Sequence, residues 1–269
     1  MKLEADLWTQ RALRGAESLI RCGKLNLEDW GTSTHPLPPS LLPVKTETAT
    51  VSEIAIVTLP VALFFHDHFP TLQEKLTLVT THWRSTDEVP LETWVMGYAI
   101  AQALTEKLAP ANLIPQILTS LDQGKSPLIE QLIQVQTLVE QRASLNTAIT
   151  QLCRHTDATE MPIALAFYCF LSTPEDFRLS VIRAARTGYQ PQTTTALTGI
   201  LSGVYNSLIG IPLTWRLALN SKDRSELLHL ASCLLAAWSG VYSPAMIQEE
   251  FPQAAIAAPR VIQPRQGGG

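Results

Sequence analysis

Residues 160–206 read EMPIALAFYCFLSTPEDFRLSVIRAARTGYQPQTTTALTGILSGVYN. An unbroken apolar run at 160–171 is the pattern of a helix buried on all sides. STPEDF at 172–177 is a helix start, with a Ser or Thr cap, a proline in the first turn, and acids that favour the positive end of the helix dipole. The sequel, FRLSVIRAARTG, keeps helical spacing up to Gly188. A turn follows, and 191–209 continues as a helix rich in small residues: Thr193, Thr194, Thr195, Ala196, Thr198, Gly199, Ser202 and Gly203. Gly and Thr are poor helix formers. Their presence calls either for close packing against a neighbour or for a helix head kept bare to hold a ligand.

Outward from this stretch, helical periodicity continues. Leu7, Ala12, Leu13, Ala16, Leu19 and Ile20 give a helix over 4–22, closed by Gly23 as its C-cap. Further helices are expected at 52–66, with Pro60 inside or dividing it, and at 70–83, 90–108, 110–122, 126–154 and 222–239. The 126–154 segment carries an apolar stripe of Leu128, Leu132, Val135, Leu138 and Val139. No strand alternation stands out beyond short ambiguous runs such as 54–59. The expected class is all-α. Residues 31–50 hold four prolines and read as a long loop within one domain spanning 1–250, because the first helix alone could not bury its apolar face. The Pro/Gln/Gly-rich stretch 251–269 reads as a frayed tail.

The 269 residues are 46% hydrophobic and 16% charged, ample for a sizeable core, with a net charge of −4. No basic run interleaved with aromatics is present, which argues against a nucleic-acid partner. No apolar run reaches membrane-spanning length, and MKLEADLW lacks the pattern of a signal peptide. Cys22, Cys153, Cys169 and Cys233 are far apart without CxxC spacing, so the expectation is free, buried thiols in a cytoplasmic protein.

Several stretches resemble, in order, the ADP-ribosylglycohydrolase family. EMPIALAFYCFLSTPEDF and RLSVIRAARTG look like two consecutive family helices. Gly188 to Thr193, then Gly199 and Gly203, lie where the family has G-G-D-x-D-T followed by small residues and G-x-x-x-G. IGIPLTW (209–215) matches its G-I-P-x-x-W. More weakly, TLPVALFFHD (58–67), VTTHW (79–83) and DLWTQRALRGAESLI (6–20) resemble its V-A-P-L-A-L-F, x-x-T-H and T-D-D-T segments. The resemblance covers about residues 5–220 and implies an orthogonal helical bundle.

It also implies a site in which two divalent cations, usually Mg²⁺, hold ADP-ribose and activate water. Such cations need charged oxygen ligands. The paired aspartates of T-D-D-T fall on Leu7 and Trp8, and those of G-D-x-D-T fall on Gln190 and Gln192. Only the threonines persist, as Thr9 and Thr193. The family's S-N-G-x-x-M-R falls on Val51 to Val57 and is lost, and its early G-D-x-x-G has no counterpart before Asp6. The expectation is therefore a degenerate member with no metal, no cofactor and no catalytic residue. A vestigial pocket would be lined by Leu7, Trp8, Thr9, Gln190, Gln192 and Thr193.

Rival chemistries are weaker. His66, Asp67 and His68 could ligate a metal, but i, i+2 spacing at a helix end seldom converges two imidazoles. A partly solvated helix-terminal cluster is expected there, and at His82 a hydrogen bond closing its helix. No G-x-S-x-G elbow or phosphate-cradling glycine loop occurs. The six tryptophans read as separate core or loop anchors, with Trp8 placed to plug the former ligand position. Three functions follow in order: a protein-interaction scaffold acting through 36–43 or the tail, metal-free binding of ADP-ribose or a nucleotide, and a hydrolase of altered chemistry.

Overall fold

The computed structural model describes residues 7–32, 50–84, 91–121, 126–153 and 161–241. Among them every regular element is helical. The first six helices are α1 (Leu7–Cys22), α2 (Leu27–Thr32), α3 (Val51–Val57), α4 (Leu59–Phe64), α5 (Phe69–Arg84) and α6 (Leu91–Leu104). A 3-10 turn at Pro110–Asn112 leads into α7 (Leu113–Ser120), followed by α8 (Pro127–Glu140), α9 (Leu145–Leu152) and α10 (Met161–Leu171). The remainder are α11 (Phe177–Ala185), α12 (Pro191–Gly210), α13 (Leu213–Ala218) and α14 (Ser221–Trp238). The all-α class expected from periodicity is the observed one.

The apolar run at 160–171 does what its composition demands. All eleven residues of α10 are buried, and α8, α9, α11 and α12 pack around it. Leu128, Leu132, Val135 and Leu138 of α8 face the same core. At roughly 1.5–3 kcal/mol for each large apolar side chain removed from water, this cluster is a principal source of stability. A second core gathers Trp30, Val57, Val61, Leu72, Leu76, Val79, Trp94 and Ile100 from α2 to α6. Tyr98, Leu121 and Ile200 touch both. A third, smaller cluster seats α14 on α1 through Cys233, Leu234 and Ala237.

Local signals place most boundaries. Gly23 caps α1 in the left-handed conformation at φ +63°. Pro60 divides the expected 52–66 helix, leaving α3 with a reciprocal box in which the Glu53 amide donates to Thr50 Oγ1 (3.3 Å) and the Thr50 amide to Glu53 Oε2 (2.8 Å).

Four expectations need correction. The single helix at 126–154 is two, because Arg142 turns left-handed at φ +50° and Ser144 caps α9 by accepting from the Thr147 amide. The cap of α11 is Asp176, whose Oδ1 accepts from the Leu179 amide at 2.8 Å, whereas Thr173 and Ser180 bond each other. Two short helices, α2 and α13, were not foreseen. α2 takes Gly31 and Thr32 from the expected 31–50 loop; the rest of that loop, with the 36–43 segment, and the 251–269 tail lie outside the described residues.

The small-residue helix divides the question its sequence posed. Thr194, Thr198 and Ser202 are fully buried along one face. Thr194 Oγ1 donates to the Tyr189 carbonyl and Thr198 Oγ1 to the Thr194 carbonyl, each at 2.8 Å, so short polar side chains satisfy themselves while letting α10 and α11 approach. The glycines do not share that task. A Cβ on Gly199 would meet nothing within 4 Å, and one on Gly203 would make an ordinary 3.7 Å contact with the Phe177 ring. Gly199→Ala should therefore raise stability by about 0.5–1 kcal/mol through helix propensity alone. A lowered melting temperature would show that the open space is needed.

Candidate functional site

The head of α1 is held by α2. Trp30 Nε1 donates to the Arg11 carbonyl at 2.8 Å, and the Trp30 ring lies over Gly15. Asn26 caps α2 by accepting from the Asp29 amide. Asp29 in turn receives Arg21 in a fork, Nε at 3.2 Å and Nη2 at 2.6 Å. That bond to the Arg21 guanidinium holds the Asp29 carboxyl below the usual carboxylate range.

On this anchored helix Trp8 is half-buried against the α2–α6 core. The Arg11 guanidinium sits 4.5 Å from the Trp8 ring centroid and 4.6 Å from that of Trp83. Each distance is within the range of a cation–π contact. Trp30 meets Trp83 edge-on at 6.4 Å. Three tryptophans read as separate anchors thus converge around one arginine. The Trp8/Arg11 pair, at i and i+3, was visible in the sequence; Trp83 arrives from α5, which no local pattern announces. Thr9, next along the helix, is half-buried. Leu7 opens α1; its side chain lies outside the described residues.

The head of α12 is built differently. Gly188 takes φ +74° and Gln190 φ +36°, ψ +60°, both left-handed. Pro191 then sets the first helical turn. Gln190 is the residue before the helix, yet its side chain makes no capping bond. A non-glycine residue in this conformation costs about 1–2 kcal/mol, less for Asp and Asn. Gln190→Gly should consequently stabilise the fold by about 1 kcal/mol, measured as a rise in the urea midpoint. A fall would mean that the Gln190 side-chain interaction outweighs the backbone strain. Gln190 and Gln192 are exposed and Thr193 half-buried. The neighbouring Cys153 thiol pushes the Tyr189 pKa up.

α1 and α12 share α3 as a neighbour, but their heads lie in different surroundings. Trp8 packs on the Trp30–Trp94 core, whereas Leu197 and Ala196 of α12 belong to the α10 core. A groove of about 420 Å³ between α6 and α7 is lined by Tyr98, Asn112, Pro115, Gln116, Thr119 and Ser120. None of the six sequence-predicted residues lines it, and the sequence reading had not singled it out.

The rival clusters resolve into local roles. His66 Nδ1 bonds the Leu63 carbonyl and its ring lies against Trp238, while His68 Nδ1 bonds Thr71 at the start of α5. The two imidazoles serve different partners, as expected of a helix-terminal pair. For His82 the described contact is with the Trp83 ring, edge-on at 87°. Cys169 and Cys233 are buried, but Cys22 and Cys153 are only partly so; burial pushes the Cys169 thiol up to about 12.

The donor set decides what such heads can hold. Among the described residues no three of His, Cys, Asp and Glu gather closely enough for a metal ion. An indole facing a guanidinium and two neutral amides do not suit a pair of hard divalent cations, whose mutual repulsion has to be offset by carboxylate charge. The residues present do not fit a di-Mg²⁺ centre. A model of the protein family described as ADP-ribosylglycohydrolase matches residues 9–244 of the chain. No curated protein matches it.

Proposed function

The chain belongs to the ADP-ribosylglycohydrolase family, and we propose that it is a member that keeps the scaffold without the hydrolytic metal chemistry and serves as a binding or regulatory protein. The observation that carries this reading is the donor set at the two helix heads: Trp8 stacked on Arg11, and Gln190 and Gln192 in place of carboxylates. Neutral amides can touch a cation but cannot neutralise it, and the first turns of α1 and α12 carry no acidic residue. Equilibrium dialysis against Mn²⁺ or Mg²⁺ tests it. The expected result is no ion retained above a protein-free control; retention of two ions per chain would reject the reading.

A scaffold role draws support from surface composition. Ile209 is 88% exposed, and Leu213, Leu217 and Leu235 are about 60% exposed, on the end of α12, on α13 and on α14. Such side chains mark a surface that meets another protein where they form one contiguous patch. Among the described residues no helix is long and apolar enough to cross a membrane; a cytoplasmic location and the absence of a nucleic-acid partner belong to the proposal.

The second reading, metal-free binding of ADP-ribose or a nucleotide, rests on Thr9, Gln190, Gln192 and Thr193 as neutral donors and acceptors. The exposure of both glutamines beside the left-handed turn favours it. Calorimetric titration with ADP-ribose, with and without Mg²⁺, separates the two. Heat in both conditions supports this second reading; no heat in either removes it.

A further inference from the structure

We propose that Arg183 is the centre of a binding site for a phosphate-class oxyanion, placed between the end of α11 and the turn that joins α8 to α9. The site does not depend on what the two helix heads hold. Arg183 is half-buried. Its Nη2 donates to Tyr168 Oη at 3.0 Å, and that hydroxyl donates in turn to the Ala143 carbonyl at 2.6 Å. The guanidinium carbon lies 5.4 Å from the Tyr168 ring centroid. Its Nε is enclosed and has no hydrogen-bond partner. Among the described residues Arg183 forms no ion pair. A neutral phenol is therefore the only polar group that meets a partly desolvated cation.

A guanidinium stays charged at every pH a protein tolerates. The chain around it supplies no balancing charge. Helices α9, α10 and α11 contain no Asp or Glu. Glu140, which ends α8, accepts from Gln136 Nε2 at 2.6 Å on the exposed surface. Two nearby groups could in principle ionise, and both stay neutral: burial pushes the Tyr168 phenol above its ordinary value and the Cys169 thiol up to about 12. A desolvated charge without a counter-charge is costly, and an anion arriving from solution offsets that cost. Arg186 follows Arg183 one helical turn later. Arg142 immediately precedes the carbonyl that holds Tyr168. Both are exposed, and neither has an ion-pair partner among the described residues. Three fixed positive charges and no negative one on α9 to α11 favour a doubly charged oxyanion over a single carboxylate.

Calorimetric titration of the full chain with inorganic phosphate, at fixed ionic strength, tests the site, with acetate as the second titrant. Saturable phosphate binding is expected, about tenfold or more weaker in Arg183→Met. Arg178→Gln, which removes an equal charge from the exposed start of α11, should leave it unchanged. No binding by the natural chain, equal affinity in Arg183→Met, or as large a loss in Arg178→Gln would overturn the site. Acetate bound as tightly as phosphate would overturn the phosphate class. Should Arg183→Met fail to fold, Arg186→Gln alters only an exposed side chain and must weaken phosphate by about threefold. An unchanged affinity there would overturn the proposal equally.

Discussion

Replacing Trp30 by alanine is expected to lower the unfolding free energy by about 3–5 kcal/mol. The ring is 2% exposed and stands in the core shared by α2 to α6. Its removal leaves a cavity that the Gly15 backbone cannot fill, and it strips the Arg11 carbonyl of its indole donor. It also removes the edge-on partner of Trp83, a ring within cation–π range of Arg11. For a domain of ordinary stability, about 5–15 kcal/mol, this is a large fraction of the total. Urea unfolding should show a markedly lower midpoint with an unchanged slope. A shift of less than about 1 kcal/mol would mean that α2 is not the clamp described.

Gly15→Ala approaches the same contact from the other side. On a solvent-exposed helix this change stabilises by about 1 kcal/mol. Here the new Cβ would lie 2.3 Å from Trp30 Cζ2 and 2.6 Å from Cε2, distances that require something to move. The indole is held at its nitrogen by Arg11 and flanked by Trp83, so it cannot swing aside cheaply. Overpacking of this kind costs about 1–3 kcal/mol, occasionally more, and outweighs the propensity gain. The sign is thus opposite to that expected at Gly199, although both glycines sit inside helices. A double-mutant cycle isolates the cause: in a Trp30→Ala background, Gly15→Ala should become neutral or stabilising. If it remained destabilising by the same amount, the clash would not be with Trp30.

These two residues also show where the sequence was informative. The helical class, the buried α10 and the Gly23 cap followed from periodicity and cap chemistry, which act over a few residues, while Pro60 left open whether the 52–66 helix divides. The break between α8 and α9 was missed because the apolar stripe continues across it; the start signal at Ser144, with its bond to the Thr147 amide, competed with that stripe and prevailed. α2 was missed because six residues containing a glycine give little periodicity, although Asn26 and Asp29 form a recognisable cap. The pairing of Gly15 with Trp30 was not legible, since only tertiary placement brings a side chain over a particular turn of α1.

The site shows the same division. The family resemblance led to the expectation that Leu7, Trp8, Gln190 and Gln192 stand at carboxylate positions. The left-handed turn at Gln190 was not expected, and neither was the convergence of Trp8 and Trp83 on Arg11. The glycines of α12, for which close packing was one of two readings, leave open space or an ordinary contact, while Thr194, Thr198 and Ser202 carry the close approach. Small residues look alike in a sequence, and the face each occupies depends on which neighbours arrive.

The central claim is that this family scaffold performs no metal-dependent hydrolysis. Its most direct test is release of ADP-ribose from an ADP-ribosylated protein or small substrate, followed with Mg²⁺ present and again with a chelator. The account predicts release no greater than in the protein-free control, and the same in both conditions. Sustained turnover with Mg²⁺ that the chelator abolishes would contradict it.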